Sequence, residues 1–252
     1  MRILYQFPLS HYCEKARWLL DYKELDYIAQ NLTPGLHQAF ARLKTGQNHL
    51  PILKDETHWV ATSTAIAVHL DQHYPEHLLL GSTLSTREKI LEVDLLCNEL
   101  GQHVWQWLLT DLLQQDEAIE TVLGENGYLR KFSRYSKPVI KTIMAKGFHL
   151  NDENRKGVSK KIQQIAQTLN QQFLSSTGCM VNSRFSLADI AVCSMLAPLL
   201  NIEGTPWELE SSIHIHAETL ALKNFLLDLP LGQYVVQTYV THRNARVDWR
   251  GV

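Results

Sequence analysis

The alternation of apolar and polar positions in residues 1–80 predicts a domain that mixes short strands with helices. Short apolar runs are typical of strands, and apolar residues spaced by three and four positions are typical of a buried helix face. Thr62, Ser63 and Thr64 supply capping side chains before the last helix of this region. The predicted elements, in the order βαβαββα, are strand 1–7, helix 13–23, strand 25–32, helix 36–43, hairpin strands 50–53 and 58–61, and helix 62–73.

From residue 86 onward the apolar positions recur at helical spacings only. Two sets of residues each mark one buried helix face, and Ser186 with Asp189 resembles a capping box before a further apolar helix. The pattern changes near residues 81–85. We therefore predict an α+β two-domain chain, with a βαβαββα domain in residues 1–80 and an all-helical domain in residues 86–252. The two sets are Ile90, Val93, Cys97, Leu100, Val104 and Leu108, and Val158, Ile162, Ile165, Leu169 and Phe173.

Composition and charge exclude several classes of protein. The chain has 252 residues, 45% of them hydrophobic, and a formal net charge of −2. A chain so close to neutral is not expected to be a dedicated nucleic-acid binder. No apolar run approaches the ~20 residues that span a membrane. The first residues form an apparent strand and lack the pattern of a signal peptide. We therefore expect a cytoplasmic protein without a membrane partner.

The four cysteines do not indicate a metal site or a disulfide framework. Cys13, Cys97, Cys179 and Cys193 are far apart in sequence and form no C-x-x-C pair. Such spacing is not typical of zinc sites or of disulfide-rich folds. Their number and placement fit a reducing cytoplasm.

Charge is unevenly spread over the second half of the chain. Residues 86–125 carry two basic and nine acidic side chains, and residues 126–161 carry ten basic and two acidic side chains. The two segments either pair with each other and with solvent, or the basic one forms a surface for an anion. That anion could be a nucleic acid, an acidic protein or an acidic substrate.

The start of the first predicted helix carries the clearest chemical signal. Ser10 and Cys13 follow an apolar strand and a Pro8-Leu9 hinge, so that a hydroxyl and a thiol lie at a helix N-terminus. The first turn of a helix has unpaired N–H groups and a positive partial charge. A thiolate placed there is stabilised. The arrangement therefore indicates chemistry on sulfur.

Three motifs together resemble the cytosolic glutathione transferase family, in a bacterial-type form. They are Ser10-x-x-Cys13-x-x-x-Arg17, His49-Leu-Pro51-Ile-Leu and Thr62-Ser63-Thr64-Ala-Ile66. The resemblance implies a thioredoxin-like domain followed by an all-helical domain, usually in a homodimer. It also implies a detoxifying transferase that uses glutathione as co-substrate, without another cofactor, and a small hydrophobic electrophile as its second substrate.

The resemblance also implies how glutathione is held. A cis bond before Pro51 would turn the backbone of Leu50 toward the cysteinyl backbone of glutathione, and proline makes such a bond accessible. Ser63, at a helix N-terminus, would bind the γ-glutamyl carboxylate. His49 would meet the glycyl carboxylate. Thr62 stands where the family usually has an acidic residue or Gln, so one contact to the α-amino group is missing or comes from the partner subunit.

Either Ser10 or Cys13 would activate the glutathione thiol. Aligning Phe7-Pro8 with the Phe-Pro of tyrosine-type members puts Gln6 at the tyrosine position. Because adjacent strand residues point to opposite faces, Tyr5 is expected to face away. Ser10 takes the place of the first Cys of a C-P-Y-C motif and is our first candidate, with Cys13 as the second. We expect Arg17 to anchor the helix.

Two other functions stay open at this stage. The chain could be a non-catalytic, regulatory or interaction protein of the same fold, which Thr62 and the basic segment favour. It could also be a glutathione-dependent thiol oxidoreductase that uses Cys13. Trp105 and Trp107 are candidates for lining the electrophile pocket. Extra chain near residues 128–155 could form a helix over the mouth of the site.

Overall fold

A four-stranded mixed sheet organises the first domain of this computed structural model, which describes residues 1–33, 36–114, 152–176, 178–208 and 216–252. Strand β1 (Arg2–Gln6) is parallel to β2 (Ile28–Asn31) and antiparallel to β3 (Ile52–Asp55). Strand β4 (His58–Ala61) pairs with β3 as a hairpin. The spatial order is β2-β1-β3-β4, which makes β2 and β4 the edge strands.

Three helices complete the predicted βαβαββα order, which is confirmed. They are α1 (His11–Tyr22), α2 (Leu36–Thr45) and α3 (Ser63–His73). Helix α1 begins earlier than predicted because Ser10 is its N-cap. Strand β2 begins later than predicted because Glu24, at φ 55°, turns the chain after α1. Such a left-handed conformation ends a helix.

The second part of the described chain is entirely helical. Helix α4 is the longest, and the helices after it are shorter and pack around a common centre. The predicted boundary at residues 81–85 stays a prediction; α3 ends before it, at His73, and α4 begins within it, at Leu84. The five helices are α4 (Leu84–Gln114), α5 (Asp152–Gln172), α6 (Leu187–Leu200), α7 (Ala217–Asp228) and α8 (Pro230–His242).

Helix α6 is the centre of the helical core. All of its side chains except that of Pro198 are buried, and all of them except those of Asp189 and Ser194 are apolar, as expected of a core helix. The predicted capping box is confirmed, because Ser186 N donates to Asp189 Oδ2 at 2.8 Å. The other carboxylate oxygen of Asp189 accepts from Met180 N at 2.7 Å and from Tyr234 Oη at 2.6 Å. This buried carboxylate therefore connects three parts of the helical domain: the segment before α6 that contains Met180, the start of α6, and α8.

Residues 243–252, which we call the C-terminal segment, run from α8 back to the first domain. Val252 N donates to Ala29 O at 2.8 Å, and Asn31 N donates to Val252 O at 2.8 Å. These bonds place the end of the segment along edge strand β2. Backbone N–H and C=O groups that an edge strand would otherwise expose are thus paired within the chain.

Two sequence expectations concern regions that the structure covers only in part. The basic segment 126–161 and the extra helix near 128–155 lie mostly outside the described residues.

Within the described ranges, no helix combines the length and apolar character needed to cross a membrane.

We expect Asp189→Ala to lower the free energy of unfolding by about 3 kcal/mol, because two buried N–H groups lose their acceptor. Urea denaturation followed by circular dichroism would measure the change. Asp228→Ala is the matched control, since Asp228 is exposed at the end of α7. A loss in Asp189→Ala no larger than in this control would contradict the role given to the carboxylate.

Candidate functional site

Ser10 lies at the junction of the β1–α1 turn and helix α1. Its Oγ accepts a hydrogen bond from Cys13 N at 3.3 Å, so the side chain caps the helix. Its own N–H donates to Phe7 O at 3.1 Å and holds the turn closed. The hydroxyl also hydrogen-bonds to the Cys13 side chain, and a thiol sulfur is a weak acceptor. The hydroxyl can therefore turn its proton from this weak acceptor to a ligand while its oxygen continues to cap the helix.

Cys13 lies beneath this turn and is fully buried. Phe7 N donates to its Sγ at 3.4 Å. Burial raises the pKa of the thiol, although hydrogen bonds from Phe7 and Ser10 and the charge of Arg17 act in the opposite direction. Leu50 and Ile52 belong to the same small buried cluster as Cys13. The thiol is thus a neutral packing group between the first turn of α1 and the segment that leads into β3.

The Leu50-Pro51 peptide bond is cis, as the family resemblance of this motif implies. Pro51 O accepts from Thr62 N at 3.2 Å, which ties this segment to the start of α3. No hydrogen bond among the described residues engages the backbone N–H or C=O of Leu50. His49 is exposed beside it, and its Nδ1 lies 3.1 Å from Asn48 Oδ1.

The N-terminus of α3 combines a strained cap with free backbone donors. Thr62 is the N-cap, at φ 74° and ψ 141°, and its Oγ1 accepts from Ala65 N at 3.2 Å. A β-branched residue rarely adopts a positive φ, and such strain is concentrated at functional sites. Ser63 is the first helical residue and is buried. The first turn of a helix presents unpaired N–H groups, which suit a carboxylate.

A buried polar network joins α1, α3 and α4 behind these residues. Thr64 Oγ1 donates to Asp94 Oδ2 at 2.6 Å, and Asn98 Nδ2 donates to the same oxygen at 3.3 Å. Lys15 Nζ forms a fully buried ion pair with Asp94 Oδ1. Sequence reasoning missed this network. Its only sequence signal is a pair of isolated charges, Lys15 and Asp94, on helix faces that are otherwise apolar.

The structure brings the predicted site residues together through a chain of contacts. Ser10 is hydrogen-bonded to Cys13, and Cys13 packs in one cluster with Leu50. The adjoining Pro51 is hydrogen-bonded to Thr62. Two helix N-termini and the start of β3 therefore border one region. Exposed His49 lies at the rim of that region.

The neighbouring strand and helix residues behave as predicted. Tyr5 packs on Phe40 and Trp59, with ring centroids at 4.7 Å and 5.7 Å. Gln6 lies on the opposite face, where its Oε1 accepts from Arg17. Arg17 is fully buried and also donates to Pro8 O at 3.2 Å, so its predicted anchoring role is confirmed.

His11 and Trp105 lie beside Ser10, on the side of the helical domain. The His11 ring is buried, with its centroid 6.3 Å from that of Trp105. Burial lowers the pKa of His11 to about 4, and the backbone of Gly101 offsets this only in part. Trp105 is 37% exposed. Trp107, in contrast, is buried beneath the guanidinium of Arg155. Only Trp105 of the two predicted tryptophans is placed to meet a ligand.

Metal ligands do not converge in the part of the chain that the structure describes. No group of three or more His, Cys, Asp or Glu side chains within the described ranges could hold an ion. The site offers hydroxyls and backbone N–H groups. That set suits a small peptide-like anion.

The comparison with protein-family models matches residues 4–78 to "Glutathione S-transferase, N-terminal domain". A search of curated proteins gives no match.

Solved structures with similar folds cover nearly the whole chain. A glutathione transferase family member from Pseudomonas fluorescens, with two glutathione bound, has 14% identity and a TM-score of 0.66, over 99% of this chain and 92% of that one. A glutathione S-transferase from Methylobacterium radiotolerans, in complex with glutathione sulfonate, has 18% identity and a TM-score of 0.57, over 93% and 94%. FzlA from C. crescentus has 15% identity and a TM-score of 0.57, over 95% and 88%. At these identities the similarity establishes the fold.

The buried His11 generates a pH prediction. Because its folded-state pKa, about 4, lies below the unfolded value of 6.5, the unfolded chain binds the extra proton between these values. The stability that His11 contributes is therefore fully present above pH 6.5 and is lost as the pH falls toward 4. We expect the free energy of unfolding to rise over this range by on the order of 2 kcal/mol more in the wild type than in His11→Gln. Equal slopes in urea denaturation at a series of pH values would contradict the prediction.

Proposed function

We propose that this chain, which belongs to the glutathione S-transferase family by its N-terminal domain and its fold, is a glutathione transferase that activates the glutathione thiol for attack on a hydrophobic electrophile. The observation that carries the proposal is the Ser10 hydroxyl at the N-terminus of α1, which caps the helix through its oxygen and has only the weak thiol acceptor of Cys13 for its proton among the described residues. A donor at this position can stabilise a thiolate, and the positive end of the helix acts in the same direction.

Glutathione would lie along the start of β3 and the start of α3. The free N–H and C=O of Leu50 would pair with the cysteinyl backbone, as an added strand does. The N–H groups of the first turn of α3 and the Ser63 hydroxyl would bind the γ-glutamyl carboxylate. Exposed His49 would contact the glycyl carboxylate. The strained backbone of Thr62, held by its bond to Pro51, supports this arrangement because it aims the helix N-terminus at the same region.

The chemistry follows from the acidity of the thiol. A cysteine thiol has a pKa near ~8.5 and is mostly protonated at neutral pH. Lowering the pKa by one unit raises the thiolate fraction at pH 7 by about eightfold. The proton leaves to solvent, and the sulfur lone pair attacks the electrophilic carbon of the second substrate. A carbon–sulfur bond forms, and a leaving group, where there is one, departs with its electron pair.

The electrophile would bind between the Ser10 turn and α4. Trp105 supplies a partly exposed apolar face at this position, and the buried, neutral ring of His11 lies behind it. Both groups suit a hydrophobic compound better than a charged one. A detoxifying role, a homodimer and a cytoplasmic location are parts of the proposal that stay predictions of the sequence.

The oxidoreductase alternative draws little support from the geometry. A redox-active cysteine needs an accessible thiolate. Cys13 is fully buried, and burial raises its pKa. The non-catalytic alternative keeps one observation in its favour. The Thr62 side chain caps α3, and it carries no charge for the α-amino group of glutathione.

We expect Ser10→Ala to lower kcat for conjugation by about 10- to 100-fold while the Kd for glutathione changes less than about threefold, because the hydroxyl acts on the thiolate. Chlorodinitrobenzene conjugation and calorimetry would measure the two quantities. Ser10→Thr is the matched control, since it keeps both the cap and the donor. Unchanged turnover in Ser10→Ala would exclude Ser10 as the activating residue.

Glutathione binding itself is best measured by isothermal titration at low and at moderate salt. We expect a micromolar to low millimolar Kd, weakened by about tenfold in Ser63→Ala and further in Ser63→Ala/His49→Ala, because each side chain contacts a carboxylate. Ser82→Ala, at an exposed position, serves as the control. If glutathione binds neither at low nor at moderate salt, the result would favour the non-catalytic alternative.

A further inference from the structure

The turn that carries Ser10 has no regular secondary structure, and distant side chains hold it. Arg17 donates to Pro8 O at 3.2 Å. Trp207 Nε1 donates to Leu9 O at 3.3 Å. Two successive carbonyls before Ser10 are therefore fixed from outside the turn. The position of the Ser10 hydroxyl depends on these anchors.

Arg17 is itself held by two side chains, and both lead to the C-terminal segment. Glu14 Oε2 accepts from Arg17 Nε at 2.9 Å, and Glu14 Oε1 accepts from Arg243 Nε at 2.7 Å. Gln6 Oε1 accepts from Arg17, and Gln6 Nε2 donates to Trp249 O at 3.0 Å. The Arg17 guanidinium, which fixes the turn, is thus linked to the C-terminal segment through one intervening side chain on each route. Glu14 links it to Arg243 at the start of the segment, and Gln6 links it to Trp249 near the end.

Arg243 also neutralises a second buried carboxylate. Its Nη1 donates to Asp21 Oδ2 at 2.6 Å, and its guanidinium lies 5.5 Å from the ring centre of Trp18. Burial alone would raise the pKa of Glu14, but Arg243 and Arg17 together lower it to about 2. Without Arg243, Glu14 would keep one cation and Asp21 would lose its ion-pair partner. A buried carboxylate without its partner draws the remaining cation or becomes protonated.

The far end of the segment is fixed on β2 by close backbone contact. Asn31 Nδ2 donates to Arg250 O at 2.6 Å. Gly251 adopts φ +62°, and a Cβ there would lie 2.6 Å from Ala29 O. A larger residue at position 251 would therefore lift the segment off the strand, because both the conformation and the space favour glycine.

We propose that Arg243 and the C-terminal segment are positioning elements for Ser10, acting through Glu14, Gln6 and Arg17 on the Pro8 carbonyl. The inference rests on the proposed function in assigning a use to the Ser10 hydroxyl. It adds that the activating group is fixed by residues at the opposite end of the chain. Loosening the segment would leave the hydroxyl present and the thiolate poorly stabilised.

Arg243→Gln tests the proposal, with Arg246→Gln as the matched control. Both arginines belong to the C-terminal segment and pair with an aspartate, but the partner of Arg246 is the exposed Asp26. One readout is the alkylation rate of Cys13 by iodoacetamide, resolved by peptide mass spectrometry. Cys13 lies under the turn, so its rate reports opening of the turn. Buried Cys193, in α6, reports unfolding of the whole chain in the same sample.

We expect Arg243→Gln to raise the alkylation rate of Cys13 by at least about tenfold with Cys193 unchanged. We also expect the pH midpoint of the bound glutathione thiolate, followed by its ultraviolet absorbance, to rise by about one unit. The Kd for glutathione should change less than about threefold, and Arg246→Gln should match the wild type.

Three results would overturn the proposal: wild-type values of both readouts in folded Arg243→Gln, equal acceleration at Cys13 and Cys193, or equal effects of the two arginine variants. If Arg243→Gln does not fold, Gly251→Val decides, because it detaches the segment and keeps the buried ion pairs. Its Cys13 rate should rise in the same direction, and an unchanged rate would reject the proposal. A wild type that binds no glutathione would reject the proposed function alone, since the Cys13 rates still test the positioning.

Discussion

The structure depends on ion pairs between buried charged side chains. Helix α1 carries Glu14, Lys15 and Arg17 at positions that are almost fully buried between the sheet and the helical domain. A buried charge without a partner costs several kcal/mol, typically about 3–5 when one member of a pair is removed. The partners come from elsewhere in the chain, namely Asp94 in α4 and Arg243 after α8. These ion pairs therefore tie α1 of the first domain to the helical domain and to the C-terminal segment.

This constraint also explains why the site lies where it does. The site is built from the ends of elements, which are the parts of a fold with unpaired N–H and C=O groups. Ser10, Leu50 and Ser63 each occupy such an end. The charges behind them keep these ends in register, because Lys15 and Thr64 both contact Asp94. A ligand can then meet fixed backbone groups with little reorganisation, which favours tight recognition of a small anion.

Local sequence signals predicted the elements well, and the candidate site residues stay a prediction whose local geometry the structure describes. Strand and helix order and the capping box of Asp189 depend on residues close in sequence, and the cis bond before Pro51 was implied by the family resemblance of its motif. The pairings of Lys15 with Asp94 and of Glu14 with Arg243 could not be predicted. Their partners are distant in sequence, and an isolated charge on an apolar face does not indicate which opposite charge it meets. The pairing of residues 243–252 with β2 could not be predicted for the same reason. An edge strand can hydrogen-bond to any extended backbone, whatever its side chains.

Ser10 and Cys13 belong to one motif but have different roles. Both lie at the positively charged N-terminus of α1, but their surroundings differ. The thiol is enclosed by Leu50, Ile52 and neighbouring apolar groups, so burial opposes the charge that the helix terminus would otherwise stabilise. The hydroxyl is partly exposed and never needs to ionise, because it stabilises an anion by donating a hydrogen bond. A group that must stay neutral and accessible is suited to acting on a ligand's thiol. A group that must stay neutral and buried is suited to filling the space beneath it, and this difference in burial is why we propose Ser10, and not Cys13, as the activating residue.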